Sequence, residues 1–498
     1  MNARNSWPAA RPKNVIREDR MTQQTIAVVG AGFSGTLLAL HLMRQCSPHV
    51  RIVLAERNEQ FGRGAAYSTG NSSHLLNVPA SKMSAFQARP DDFLNWLRSR
   101  PREELDGVVP SPTTFVPRSI FGRYVGDLLA SEMKSAVHCG RLDLVRDDVT
   151  DIERRTGGLT VSFASGMELP VDRAVLAVGN FPPSPPPVAD ASFYDTDFYR
   201  PDPWAADLLD GLDPYAPVML IGTGLTTIDT VVSLLDRGHL GPITALSRRG
   251  LLPHNHLTGP SATALPENEH LPTRVNALTR FLRHRSLKAS AAGGCWQAVI
   301  DELRPLTTDI WQTMTIPDRT RFLRHLRPWW DTHRHRVSGP VAARITAARE
   351  SGHLRIVAGR IRQYAIGDDG LVEVTYRPRF KDRLDSLKVG RVINCAGPES
   401  DFARIRDPLV RRLLDKGLVR PDPLSLGLDV TRNCALLDRD GAISRRLFAV
   451  GPVTKGTFWE MTAVPDIRQQ AEFLAVQLAG MVKPETVVAK TSDVAWSI

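Results

Sequence analysis

Thr25-Ile26-Ala27-Val28-Val29 runs directly into Gly30-Ala31-Gly32-Phe33-Ser34-Gly35. The mostly apolar, β-branched run predicts a buried strand, and the glycines behind it stand at the spacing G-x-G-x-x-G before a helix-forming stretch. In that context each glycine has a task. Gly30 makes the tight turn, Gly32 lets the backbone approach a pyrophosphate, and Gly35 lets helix and strand pack closely. The amides of the helix N-terminus then face the phosphates. Twenty-one residues past Gly35, the strand 50–55 ends at Glu56, placed to accept a hydrogen bond from a ribose 2′-hydroxyl. Strand, turn, helix and acid together predict a dinucleotide site rather than a ligand-free glycine turn.

The pattern returns at Pro217-Val218-Met219-Leu220-Ile221, which runs into Gly222-Thr223-Gly224. Thr227 stands where the third glycine would be, and its methyl group is expected to hold helix and strand slightly apart. The next strand, 242–246, ends not in an acid but in Ser247-Arg248-Arg249. An acid there favours NAD, whereas arginines accommodate a 2′-phosphate, so Arg248 and Arg249 favour NADPH over NADH. The plainer alternative is two arginines solvating a strand end. Both copies then reach a similar meander, at 142–153, 159–164 and 173–179 in the first and 354–365, 371–376 and 391–397 in the second. Two dinucleotide sites in one polypeptide predict two cofactors face to face, FAD on the first copy and NADPH or NADH on the second. That is the architecture of a flavoenzyme reduced by a nicotinamide.

The expected fold class is α/β, with two Rossmann-like βαβ dinucleotide-binding domains, the NAD(P) domain inserted into a discontinuous FAD domain, and a helical insertion. Residues 1–20 hold five Arg/Lys, two acids and no apolar core. They read as a disordered tail rather than a secretory signal, or as residues upstream of a true start at Met21. Residues 21–200 form the first part of the FAD domain, closed by a proline-dense stretch at 181–187 that cannot continue a sheet interior. Residues 201–388 form the NAD(P) domain, with helical segments at 271–284, 295–311 and 319–336 in an insertion spanning about 260–350. From 389 to 498 the chain returns to the FAD domain, with a strand at 447–450 and a closing helix from about 464 to 481. Such an insertion needs the host's two cut ends close together.

The 498 residues suffice for two or three domains. Hydrophobic content of 42% and charged content of 23% are those of an ordinary soluble chain. No run nears the roughly eighteen consecutive apolar residues of a membrane span, so a cytoplasmic, membrane-free protein is expected. The five scattered cysteines (Cys46, Cys139, Cys295, Cys395, Cys434) contain no C-x-x-C, which argues against a disulfide framework or a dithiol relay. The net charge of +10 is uneven, since residues 271–350 hold fourteen Arg/Lys against six Asp/Glu. Without an RNA-binding signature or helix-turn-helix pattern, this basic segment is expected to cover an anionic substrate or a dinucleotide phosphate, not nucleic acid. Oligomeric state stays open, a homo-oligomer included.

Further candidates lie on the connections. Gly62-Arg63-Gly64-Ala65-Ala66-Tyr67 and His74-Leu75-Leu76-Asn77-Val78-Pro79-Ala80 follow the acidic strand, and small residues such as Gly64 let a chain run close along a planar ring. Asn77 is placed to hydrogen-bond a flavin edge or a substrate, or only closes a turn before Pro79. His74 is a candidate general base, although a lone histidine is more often a hydrogen-bonded structural one. Val149, within the first meander, is taken with the glycines as cofactor-binding, as is Gly451 at the end of the late strand. Downstream, Lys455-Gly456-Thr457-Phe458-Trp459-Glu460 offers ring-lining aromatics, or core packing, and a second candidate base in Glu460. In the run from Trp329 to Arg336, His333 and His335 are two apart and point to different helix faces, so no metal is expected. Arg334 or Arg336 could clamp a planar anion, or the helix is a solvated, acid-paired surface.

These pieces resemble a bacterial family of FAD/NAD(P)-binding proteins. The matching motifs are GAGFSG at Gly30, HLLNVPA at His74, GTGLTTID at Gly222, WDTHRHR at Trp330, NCAGP at Asn394 and GTFWEMTAVPDIRQQ at Gly456. The wider kin are similar to single-component flavin monooxygenases, including amine N-hydroxylases, and to a bacterial FAD-dependent urate hydroxylase type. The resemblance implies that NAD(P)H reduces FAD and that O2 then supplies the oxygen atom transferred. In such proteins the late strand ends in Gly-Asp, and Pro452 here replaces that acid and removes one ribityl contact. No histidine occurs at 179–187, where the Baeyer–Villiger signature would place one, which argues against ketone oxygenation. The leading expectation is an FAD-dependent NAD(P)H monooxygenase for a small polar nitrogenous or anionic substrate, urate to 5-hydroxyisourate first, with amino-acid or amine N-hydroxylation as the alternative. A non-oxygenating NAD(P)H–flavin electron-transfer protein is the rival. Thr227 and Pro452 leave room for a binding protein with a decayed site.

Overall fold

The computed structural model describes residues 24–135, 140–257 and 271–482. The expected tail, the Met21 start and the opening of the helical insertion lie outside the described residues. β1 (Gln24–Val29) shows why the first sheet forms. Its Ile26 and Val28 join a core built with helices Phe33–Gln45, Arg118–Lys134 and Val464–Gly480, whereas Ala27 and Val29 join a second core on the opposite face. A strand apolar on both faces must be covered on both, as in a parallel sheet. β1 pairs in parallel with β2 (Val50–Glu56), and β2 with β3 (Leu142–Arg146). The chain then leaves the sheet at Asp147 and Asp148 for an antiparallel meander, β4 (Val149–Arg155), β5 (Gly158–Phe163) and β6 (Glu168–Val171). β7 (Arg173–Leu176) returns to the other side of β1.

The second sheet repeats the plan. β8 (Tyr199–Arg200), β9 (Val218–Ile221), β10 (Ile243–Ser247), β11 (Leu354–Ile366), β12 (Val372–Pro378), β13 (Asp385–Val389) and β14 (Arg391–Asn394) stand in the order β13-β12-β11-β10-β9-β14-β8. In β9, Val218 and Leu220 face one core, Met219 and Ile221 the other. Here the meander does not break away. β11 pairs in parallel with β10, bends at a bulge between Ile361 and Gln363, and continues into antiparallel pairing with β12. Finally β15 (Ala435–Leu437) and β16 (Ile443–Ala449) complete the first sheet, β15-β16-β7-β1-β2-β3.

Two expected boundaries move. β14 pairs with β9 and β8, so the return to the first sheet begins after Asn394 rather than at 389, and Tyr199–Arg200 belongs to the second sheet, not the first domain. The reason is the duplication itself, because β14 fills beside β9 the place that β7 fills beside β1. The two crossings between the sheets touch. Phe181 and Glu399 form an antiparallel bridge, the Glu399 amide donates to the Phe181 carbonyl at 3.2 Å, and the Ser184 hydroxyl donates to the Glu399 carboxylate. The insertion carries helices Val275–Ala291, Trp296–Glu302, Thr307–Thr313, Ile316–Arg321 and Arg327–Arg334, with a π-helical turn at Phe322–Leu326. Among the described residues no helix is long and apolar enough to cross a membrane.

Candidate active site

Gly30 closes β1 at φ +99°, and a Cβ there would collide with the Ala177 carbonyl just past β7. The helix Phe33–Gln45 starts at Gly32 with no side chain capping it, which leaves its first amides open to an anion. Glu56 turns back to this loop. Its Oε2 accepts from the Ala31 amide at 2.8 Å, and its Oε1 from the Asn58 amide at 3.0 Å and side chain at 2.9 Å. The Gly62 amide donates to the Ala31 carbonyl at 2.8 Å and brings Gly64 to face Gly32. Gly451 packs on Ser34, next to Gly35, and its amide donates to Gln470 Oε1 at 2.8 Å. Gly30, Gly32, Gly35, Glu56, Gly64 and Gly451 therefore converge on one helix N-terminus. Val149 does not share that place, since its side chain lies in the core with Val29 and Ala55. A glycine-lined cradle with uncapped amides, braced by the Glu56 carboxylate, fits the pyrophosphate of FAD.

The second turn copies the first. Gly222 sits at φ +115°, a Cβ there would lie 2.5 Å from the Cys395 carbonyl, and its amide donates to the Leu246 carbonyl at 2.8 Å. In the first turn the Gly30 amide donates to the Ala55 carbonyl at 2.9 Å. Gly224 starts the helix Leu225–Asp236, again without a side-chain cap, and a Cβ on it would meet nothing within 4 Å. Thr227 is buried where the first turn tolerates only glycine. At the end of β10, Ser247 Oγ is held by Thr223 Oγ1 at 2.9 Å and accepts from the Gly250 amide at 2.9 Å. Arg248 and Arg249 follow. Burial, with Arg360, Arg327 and Arg249 nearby, lowers the Arg248 pKa, a strain that a bound anion would relieve.

The candidate bases sit elsewhere. Both ring nitrogens of buried His74 are committed, Nδ1 to Thr69 Oγ1 at 2.8 Å and Nε2 to Ser233 Oγ at 2.8 Å and the Asp229 carbonyl at 3.0 Å. Burial lowers its pKa, which keeps the ring neutral. Beside it, Arg118 of the first domain meets the Asp229 carboxylate of the second at 2.9 Å, both side chains nearly enclosed. Burial raises the Asp229 pKa against the pull of Arg118 and His74. His74 is thus a pin between the sheets, the hydrogen-bonded structural role that the sequence offered beside that of a base. Glu460 is taken as well. Its Oε1 accepts from Trp330 Nε1 at 2.7 Å and its Oε2 from Arg334 Nε at 3.0 Å, so it fastens the insertion to the first domain. Arg336 is acid-paired but buried rather than solvated, and it grips Asp301 through two bonds of 3.0 and 3.1 Å. Asn77 is half-buried. Its carbonyl bonds His256 Nε2 at 2.9 Å, and its side-chain amide has no partner among the described residues.

A cavity of about 740 Å3 opens between Ser81 and Lys82, the helix Thr307–Thr313 and the start of the helix Val464–Gly480. Its charges are mixed. Lys82 and Arg432 stand with Asp309, and Arg304 bridges Asp466 at 3.0 Å. Gln470 belongs both to this wall and, through Gly451, to the first glycine turn. Trp459 is held at φ +58° and stacks on Trp311 at 4.7 Å, with Lys455 Nζ 5.0 Å from its ring centre. Burial and Arg327 pull the Lys455 pKa down to about 8.

Residues 27–181 match the family described as FAD-NAD(P)-binding. An uncharacterised protein of Mycobacterium tuberculosis is 22% identical over 91% of this chain and 95% of its own. Among solved structures, the ornithine hydroxylase of Pseudomonas aeruginosa matches at 16% identity and TM-score 0.61, covering 93% of this chain and 100% of that one. The L-lysine 6-monooxygenase of Pseudomonas syringae matches at 15% and 0.60, with 93% and 100% covered. The FAD-bound cadaverine monooxygenase of Erwinia amylovora matches at 14% and 0.62, with 95% and 99% covered. The fold is shared along nearly the whole chain.

The FAD/NAD(P)-binding match ends at Phe181, where the chain crosses to the second sheet. Sequence reasoning missed the Arg118–Asp229 bridge, the Gln470–Gly451 bond and the Arg304–Asp466 pair. Asp229 and Gln470 stand at the ends of the quoted motifs GTGLTTID and GTFWEMTAVPDIRQQ, so a signal existed without its partner.

Proposed function

We propose that the protein is an FAD-dependent, NADPH-consuming monooxygenase that hydroxylates the nitrogen of a small amine or amino acid. The reading rests above all on the paired glycine turns of the two sheets, within a fold matched over 93–95% of the chain by an ornithine hydroxylase and by lysine and cadaverine monooxygenases. Those likenesses favour the amine alternative and lend nothing to urate, the substrate expected first.

Gly30, Gly32 and Gly35 with the helix N-terminus would hold the FAD pyrophosphate, and Glu56 its ribose. Gly222, Gly224 and the Arg248–Arg249 pair would hold NADPH. Bound FAD, once reduced, supplies the activation of O2. The chain's own work is binding, orientation and exclusion of water. In the 740 Å3 cavity, Lys82 and Arg432 can receive a carboxylate and Asp309 an ammonium. Burial raises the Asp466 pKa, and the bridge to Arg304 holds that carboxylate in place at the wall.

The test is NADPH oxidation and O2 uptake by the flavin-loaded protein with ornithine, lysine, cadaverine and urate, read out as hydroxylamine product. Hydroxylamine formed with one of the amines is the expected result. Peroxide alone with every amine overturns the reading, and consumption of urate would reinstate the first expectation.

A further inference from the structure

At the C-terminal edge of the second sheet three distant segments meet. β10 ends there and is followed by Arg248 and Arg249. β12 returns beside β11, with Pro378 opposite Gly359, so the hairpin between β12 and β13 emerges at the same edge. The π-helical turn Phe322–Leu326 of the insertion closes the third side, and Arg249 Nη2 donates to the His325 carbonyl at 3.4 Å. They enclose a cavity of about 620 Å3 whose lining carries seven Arg and Lys side chains against one acid, Asp382. None of the seven is in an ion pair among the described residues.

The hairpin tip has a second peculiarity. Phe380 is 90% exposed and held at φ +64°, a backbone region that bulky side chains avoid. The Arg379 guanidinium lies 4.4 Å over its ring, and the ring lines the same cavity as Arg248. A strained, solvent-facing aromatic ring beside an unneutralised cation cluster has both halves of a nucleotide site, a flat face for a base and charges for a phosphate.

We propose that this hairpin tip closes the adenosine end of the NADPH site, with Phe380 stacking on the adenine and Arg360 and Arg324 joining Arg248 on the 2′-phosphate. The inference rests on the NADPH reading above and adds to it a specificity element that the glycine-turn pattern does not contain. The lowered Arg248 pKa, caused by burial and by the crowding of Arg360, Arg327 and Arg249, agrees with a cluster built for an anion.

The experiment is calorimetric binding of NADP+, NAD+, adenosine 2′,5′-bisphosphate and nicotinamide mononucleotide to the flavin-loaded protein and its variants. Phe380→Ala should weaken NADP+, NAD+ and the bisphosphate about tenfold each, leave the mononucleotide unchanged, and be rescued by Phe380→Trp. Arg360→Ala with Arg324→Ala should weaken NADP+ at least tenfold more than NAD+. Because Phe380 touches solvent almost all round, its removal costs the fold nothing that would mask the result. A Phe380→Ala protein that binds the bisphosphate within twofold of wild type, or loses the mononucleotide equally, overturns the clamp alone. A wild-type protein that binds neither NADP+ nor NAD+ overturns the cofactor reading and the clamp with it.

Discussion

Gly224→Ala separates binding from folding in an unusual way. At this position φ is −85° and ψ −166°, ordinary extended backbone, and an added Cβ meets no protein atom within 4 Å. Alanine should therefore fit without strain and stabilise the chain slightly, by about 0.4–1 kcal/mol, through a less free unfolded state. The empty space that accepts the methyl group is the space into which a pyrophosphate must come to reach the amides of the helix Leu225–Asp236. Displacing the phosphate costs one or two hydrogen bonds to a charged group, about 1.5–3 kcal/mol each, or roughly 10- to 150-fold in Kd for each bond lost. The assay has three parts: thermal unfolding, absorbance near 450 nm for retained flavin, and anaerobic reduction by NADPH. The expected outcome is an equal or higher Tm, full flavin content, and NADPH affinity down at least tenfold. A Gly224→Ala protein reduced by NADPH with wild-type affinity would refute the assignment of the second turn. The contrasting variant Gly222→Ala carries a clash with the Cys395 carbonyl and should lose stability as well.

Arg118→Ala strips the partner from an enclosed carboxylate and should cost about 3–5 kcal/mol in urea unfolding. Adding Asp229→Asn should recover part of that loss, and a single variant as stable as wild type would dismiss the bridge as a joint. Glu460→Gln keeps an acceptor for Trp330 but weakens the hold on Arg334, so it should lower stability by about 1–3 kcal/mol and slow turnover less than tenfold. A thousandfold slower variant of unchanged stability would restore Glu460 as a base. For Lys455, the folded pKa of about 8 lies below the ordinary 10.5. The unfolded chain thus holds a proton that the native one has released between those values, and stability should rise with pH across that window relative to Lys455→Met. Parallel stability curves for the two proteins would show that Lys455 is not perturbed.

The glycine turns were legible because everything they need lies within about thirty residues: strand, turn, helix and the next strand end. Glu56 and the Ser247-Arg248-Arg249 ending followed from the same local spacing. The likeness of the two meanders put 391–397 in the second module, where β14 pairs with β9, whereas the boundary drawn at 389 cut that strand away. What stayed hidden were contacts between distant segments. Glu460 looked like a free acid because Trp330 and Arg334 lie some 130 residues upstream. His74 could be read as a base or as a structural histidine because its partners, Ser233 and the Asp229 carbonyl, belong to the second module. Phe380 drew no notice, since an exposed aromatic at a hairpin tip acquires meaning only beside the arginines that the fold brings to it.

Because Phe181 and Glu399 lie in adjacent register, the second module enters and leaves its host through one narrow doorway. In outline that makes it a cassette, whose removal would leave host ends close enough for a short turn to seal. It could not be transplanted cleanly, however. Trp330 and Arg334 travel with the cassette while Glu460 stays behind, and a host stripped of them would keep a carboxylate with nothing to hold. A working chimaera would have to exchange residues 456–466 together with the module.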